Sequence, residues 1–160
     1  MRLETMLVLA LWATPAATQE AVAPGHAAYA VQVQDFATAA VPRIADDAAD
    51  GLGPLLAEAL SGAPDFAGDQ VLVQWGCGTD CLRLLAADRG SGRLVPLPGA
   101  ACCWNGAGEM LDYRPDSRLL VVGGKLEGFP GHGRHYFVFE GGRFVRVHFE
   151  PVAETGPLAD

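Results

Sequence analysis

Apolar residues follow two different periods along this chain, one before Phe66 and one after it. Leu52, Leu55, Leu56, Ala59 and Leu60 recur at i, i+3, i+4, i+7 and i+8, the stripe of an amphipathic helix. Asp50 is placed to cap its start, Pro54 fits its first turn, and Gly62 stands where helices commonly end. Val31, Val33 and Phe36 predict a short extended piece upstream. From Phe66 onward the pattern is that of strands. Val71, Val73 and Trp75 alternate with Leu72 and Gln74 until Gly76-Cys77-Gly78-Thr79-Asp80 breaks the run, so Trp75 is expected in the core. Leu82 to Ala87 is a second apolar stretch, closed by the turn chemistry of Asp88-Arg89-Gly90-Ser91-Gly92. Leu94 to Leu97 is a third, limited by Pro96 to an edge or a strand end. Pro115-Asp116-Ser117 turns the chain into Leu119 to Val122. Tyr136 to Phe139 and Phe144 to Val147 flank Glu140-Gly141-Gly142-Arg143, where two glycines permit the positive φ of a tight hairpin. The fold class that results is α+β, mainly β: an antiparallel β-meander with one short amphipathic helix packed on it.

The start of the chain has another purpose. Arg2, the apolar run Met6 to Ala13 and the small residues Thr14 to Thr18 read as a signal peptide over 1–18. The run is far shorter than the roughly 20 apolar residues of a membrane span, so no stable membrane insertion is expected after signal cleavage. Residues 19–30 lack a period and are predicted as a flexible lead-in, 31–150 as a single β-rich domain, and 151–160 as a C-terminal tail. The expected location is the periplasm, otherwise the secreted fraction.

Composition narrows the function classes. The formal net charge of −8 disfavours a nucleic-acid partner, which needs a basic surface to neutralise phosphates. The charge is uneven: residues 19–69 carry eight acids against Arg43, whereas residues 70–160 carry ten acids and nine bases. Only Ser61, Ser91, Ser117 and Lys125 are present for serine or lysine catalysis. Gly90-Ser91-Gly92 lacks the spacing of a nucleophile elbow, and Gly123-Gly124-Lys125 lacks the rest of a phosphate loop. Asp112, Asp116, Glu109 and Glu127 could supply a carboxylate pair, but acids at turns usually serve local hydrogen bonds.

Export gives the four cysteines their meaning, because an oxidising compartment favours disulfides. Counting across the turn near Gly90 sets Cys81 opposite about residue 99, so Cys77, Cys81, Cys102 and Cys103 converge at one end of the meander. Three pairings are open. A Cys77–Cys81 bridge is geometrically easy and leaves Cys102 and Cys103 to form a vicinal bridge or stay free. The crossed pairing of Cys81 with Cys102 and Cys77 with Cys103 asks adjacent residues to point in opposite directions. A four-cysteine metal site and a redox site are the competing uses. Around the last hairpin, His132, Arg134, His135, Arg143, Arg146 and His148 form a candidate partner-binding or anion-binding patch, with Arg146 and His148 on one face by period 2. The alternative for that group is an ordinary solvated strand face.

The run Phe66-Ala67-Gly68, followed by Trp75-Gly76-Cys77-Gly78-Thr79-Asp80-Cys81, resembles a group of small, exported, largely uncharacterised bacterial proteins with an FAG…WGCGxxC signature. Tyr113-Arg114-Pro115-Asp116-Ser117-Arg118-Leu119-Leu120-Val121-Val122 fits the same group and resembles the strand entry of TolB-type propeller blades, although the chain is too short for several four-stranded blades. This resemblance implies fold and compartment, not an activity. The expected function is an exported, non-catalytic β-domain that binds an unidentified protein or cell-envelope component, in an accessory or inhibitor-like role and without a cofactor. The alternative is a metal-binding or thiol-redox protein built on the Cys and His groups.

Overall fold

Alternation, turns and one helical stripe do produce an antiparallel sheet with a helix packed on it. The computed structural model describes residues 22–38, 40–43 and 51–153. The leader over 1–18, the Asp50 cap and the end of the tail lie outside the described residues. After a 3-10 turn at His26–Tyr29 comes helix α1, Gly53–Ser61. Eight strands follow: β1 Gln70–Gly78, β2 Cys81–Asp88, β3 Leu94–Pro96, β4 Ala101–Cys102, β5 Leu111–Tyr113, β6 Leu119–Leu126, β7 Phe129–Glu140 and β8 Arg143–Pro151. The sheet runs β1-β2-β4-β6-β7-β8, with β3 added to β2 and β5 added to β6.

Leu72 of β1 and Leu84 and Ala86 of β2 share one buried cluster with Leu120 and Val122 of β6 and Phe137 and Phe139 of β7. Strands at opposite ends of the sheet meet there, so the sheet curls around this core. Phe66 fills its centre, fully buried, with its ring 5.9 Å from Phe139 and 6.1 Å from Phe144. The outer faces are covered as well, which explains the nearly continuous apolar runs of β1, β2 and β6. Val71, Val73, Leu85 and Ala87 point outward onto Leu56 and Leu60 of α1. Leu119, Val121, Tyr136 and Val138 form the other outer face, against which Tyr29 packs. The segment expected as a lead-in thus lies on the sheet from Pro24 to Tyr29, held by the Arg118 N–H on the Tyr29 carbonyl (3.0 Å). Downstream, the piece expected to be extended at Val31–Phe36 forms no strand and bonds only singly, as in Gln34 N–H to Gly68 O (2.8 Å).

Helix α1 starts without a side-chain cap, with Pro54 in its first turn, and ends at Gly62, whose N–H reaches the Ala59 carbonyl at 3.1 Å. Its buried stripe is narrower than the apolar pattern implied, because Leu55 is exposed while Leu56 and Leu60 are fully buried. At the far end of the sheet, Gly141 and Gly142 take φ of 58° and 69°, the left-handed pair that a two-residue hairpin turn requires.

Trp75 differs from its sequence expectation: it lies at the border of the helix-facing cluster and is only partly buried. Alternation sets the indole on the helix-facing side, but at the edge of the buried cluster rather than inside it. Replacing Phe137 with alanine is expected to cost about 3–5 kcal/mol, the usual loss for a fully buried aromatic ring. Trp75→Ala is expected to cost less than half of that. Urea unfolding of the two variants checks the order, and equal losses would return Trp75 to the core.

Candidate functional site

The cysteine end is built by a bulged hairpin and a two-residue strand. β1 pairs with β2 down to Gly76↔Leu82 and Gly78↔Cys81, so Cys77 is the extra residue of a bulge. Gly78 (φ 140°) and Asp80 (φ 54°) make the turn, and Cys77 bonds to Cys81 with Cα atoms 5.0 Å apart. Between Leu85↔Pro96 and Cys81↔Cys102 the register advances by two residues as the chain leaves β3 through Leu97-Pro98-Gly99-Ala100. That step explains why Cys81 faces Cys102 rather than a residue near 99. Cys102 and the adjacent Cys103 form a second, vicinal disulfide. Both bridges therefore stand side by side, with Cys77 and Cys103 exposed and Cys81 and Cys102 half-buried.

Cys103 takes a left-handed φ of 63° and turns the chain off β4, which lays Trp104 back over β6. Gly123 makes that seat possible: a Cβ there would stand 2.6 Å from the indole. Gly124 (φ 109°) is equally constrained, because a Cβ would collide with the Cys102 carbonyl. The indole N–H donates to Gly108 O at 2.9 Å. The Arg134 guanidinium lies 4.8 Å from the indole centroid and donates to Ala107 O at 2.6 Å. Beneath, the His132 ring stacks at 5.9 Å from Trp104, with Nδ1 3.0 Å from Val152 O and Nε2 3.1 Å from Cys103 O. A neutral imidazole donates to one of these carbonyls at a time, an imidazolium to both. Beside this seat opens a groove of about 750 Å³, lined by Leu82, Trp104 and Met110, by Cys81 and Cys103, and by the acids Asp80 and Glu109.

The six histidines and arginines around the last hairpin do not form one patch. His132 and His135 belong to β7, which already starts at Phe129, and both are buried. Arg134 is drawn to Trp104, while Arg143 is exposed at the opposite end of the sheet, paired across the turn with Glu140. Arg146 and His148 fall on opposite faces. A bulge at Val147 resets the alternation, so Arg146 faces Phe137 and lies over Phe129 (5.1 Å) and Phe149 (4.9 Å), whereas His148 faces Tyr136 on the outer side. Of the four carboxylates, Glu109 borders the Trp104 groove and also lines, together with Asp112, a second groove beside His26, Arg134 and Tyr136. Asp112 bonds His26 Nε2 at 3.1 Å, Asp116 stays in its turn, and Glu127 accepts from the Ala100 N–H. Among the described residues no group of three His, Cys, Asp or Glu side chains is set to hold a metal ion. Sequence reasoning missed the Trp104–Arg134 pair. The signal available was the run of small residues around Trp104 and at Gly123-Gly124.

Two groups near the rim have displaced proton affinities. Tyr136 is pushed up to about 12, by burial and by the hydrogen bond its hydroxyl donates to Glu150 at 2.8 Å. His135 is lowered, first by burial and then by the charges of Arg146 and His132, against the raising effect of its bond to Gly124 O (3.2 Å). No protein-family model, curated protein or solved structure matches this chain.

The His135 shift has a stability consequence with a definite sign. The unfolded ring takes up a proton near the ordinary value of 6.5, while the folded ring resists it, so stability falls as pH drops below about 6.5. One proton limits the slope to about 1.4 kcal/mol per pH unit. Urea midpoints measured between pH 8 and pH 5 are expected to fall less steeply for His135→Gln than for the parent. Identical slopes would remove His135 from the acid response.

Proposed function

We propose that this protein is an exported, non-catalytic β-domain that binds a protein or cell-envelope component through its cysteine rim. The observation that carries this reading is the groove beside Trp104, whose walls are held by the two neighbouring disulfides and by an indole packed against Arg134 and His132. Such a surface meets a partner with little ordering cost, which is what makes a rigid rim effective in binding. Leu82, Met110 and Trp104 offer apolar contact, and Asp80 and Glu109 add negative charge. A peptide segment carrying an apolar side chain next to a basic one fits that chemistry. The stretch Trp75 to Cys81, which resembles a signature of exported bacterial proteins, runs along β1 and over its tip to this rim.

A photo-crosslinking amino acid at position 105, in the groove, is expected to give one discrete adduct in an extract of the producing cell's envelope. The same group at position 143, at the far hairpin, is expected to give none. Neutralising the acids with Asp80→Asn and Glu109→Gln should weaken the adduct several-fold. Equal labelling from both positions, or none from position 105, would overturn the assignment of the rim. Export is checked separately by mass spectrometry, which is expected to find an N-terminus between Ala16 and Ala23 in the exported protein.

A further inference from the structure

We propose that the four cysteines form a single thiol–disulfide exchange site whose substrate is a dithiol, and that one electron pair converts the two local bridges into a Cys81–Cys102 cross-strand bridge. This inference is independent of the binding partner. It begins with register: Cys81 and Cys102 are direct partners of antiparallel strands β2 and β4. Such partners have Cα atoms about 4.5–5.5 Å apart and side chains on one face, within the roughly 4.4–6.8 Å that a disulfide spans. The two inner sulfurs are thus neighbours, each bonded at present to an exposed outer one, Cys77 or Cys103.

The chemistry follows in balanced steps. One thiolate of the dithiol attacks the exposed Cys103 sulfur, forming a mixed disulfide and expelling the Cys102 thiolate. The second thiol of the substrate then closes the substrate's own disulfide and releases Cys103, so two electrons and two protons have entered the protein. The Cys102 thiolate next attacks Cys81 across the strand pair, forming Cys81–Cys102 and expelling Cys77, which takes the proton that Cys102 gave up. Entry at Cys77 reaches the same product by the converse route, because the freed Cys81 thiolate attacks Cys102 and expels Cys103.

Two features favour the rearranged bridge over simple opening of either pair. The present bridges close loops of only four residues and one, whereas Cys81–Cys102 closes about twenty and restrains the unfolded chain more. The exchange also releases Cys103, which the vicinal ring holds at φ 63° in left-handed backbone that side chains other than glycine rarely adopt. Cys103 carries the carbonyl that His132 contacts and immediately precedes Trp104, so the change reaches the groove.

The test treats the protein with one molar equivalent of dithiothreitol, quenches in acid, blocks thiols with N-ethylmaleimide and maps tryptic fragments without reduction. Arg43 and Arg83 bound a fragment holding Cys77 and Cys81, and Arg93 and Arg118 bound one holding Cys102 and Cys103. In the untreated protein these fragments separate. In monomers that have gained one electron pair, more than half are expected to show the two fragments joined through Cys81 and Cys102, with Cys77 and Cys103 blocked. A majority of singly reduced molecules whose remaining bridge lies within either fragment would overturn the proposal, as would a link mainly through any other cysteine pair or an all-or-none passage from native to four thiols.

Discussion

The sheet is continuous only because of the two residues of β4. Ala101 and Cys102 pair with Leu82 and Cys81 on one side and with Leu126 and Lys125 on the other. Without those pairings β1–β2–β3 and β5–β6–β7–β8 would be separate hairpin layers, joined by core packing and by backbone bonds outside the strands such as Gly68 N–H to Pro115 O (2.7 Å) and Ala67 N–H to Ser117 O (3.1 Å). So short a strand has little margin, and its surroundings show it. Ala101 is buried, Gly124 leaves space for the Cys102 carbonyl, and a disulfide follows on the strand's last residue. The same junction positions both bridges, the left-handed Cys103 and the seat of Trp104. Candidate site and fold closure are therefore one piece of structure.

The residues used as clamps are mostly arginines, in a chain with one lysine and three serines. Arg89 is buried and donates to Gly62 O (2.8 Å) and Thr38 O (2.6 Å), tying the end of α1 and the upstream segment to the β2–β3 turn. Arg93 reaches Gly142 O across the far end, and Arg134 reaches Ala107 O at the rim. A guanidinium suits this work because its fixed fork of donors serves a carbonyl while its flat face rests on an aromatic ring. Arg89 over Phe36 (5.8 Å) and Arg134 over Trp104 both do so. Arg89, Arg93 and Arg134 thus hold loops by hydrogen bonding, while Arg83 and Arg118 stand opposite Glu127 and Glu140.

Local signals made most of the fold legible. The helix, the β1–β2 and β7–β8 hairpins and the Pro115 turn each follow from periodicity or turn chemistry within about a dozen residues. What could not be read was set at longer range. β4 is too short to have a period. The first third of β7 is written in glycine, proline and histidine, which have low strand preference and are kept extended by β6 and β8. The bulge at Val147 carries no marker in its sequence, yet it reverses the faces of everything beyond it and so sets His148 on the side opposite to Arg146.

The rim shows the same division. Convergence of the cysteines follows from counting along hairpins, a local operation whose error of a few residues does not move them to another edge. The aromatic seat does not, because Trp104, Gly123, His132 and Arg134 meet only when β4 is in place between β2 and β6. Closure by β4 also decides which groups lose water. His135 ends beneath Gly124 with Phe149 4.8 Å away, and Tyr136, one residue on, faces the opposite side with Glu150 on its hydroxyl. Burial, which favours the neutral form, thus shifts the two adjacent residues in opposite directions: the imidazole resists a proton, and the phenol, with a carboxylate on its hydroxyl, retains one. Both end up neutral near pH 7, so the charges at the groove are those of Asp80 and Glu109 on its wall and of the Arg134 guanidinium held on Trp104.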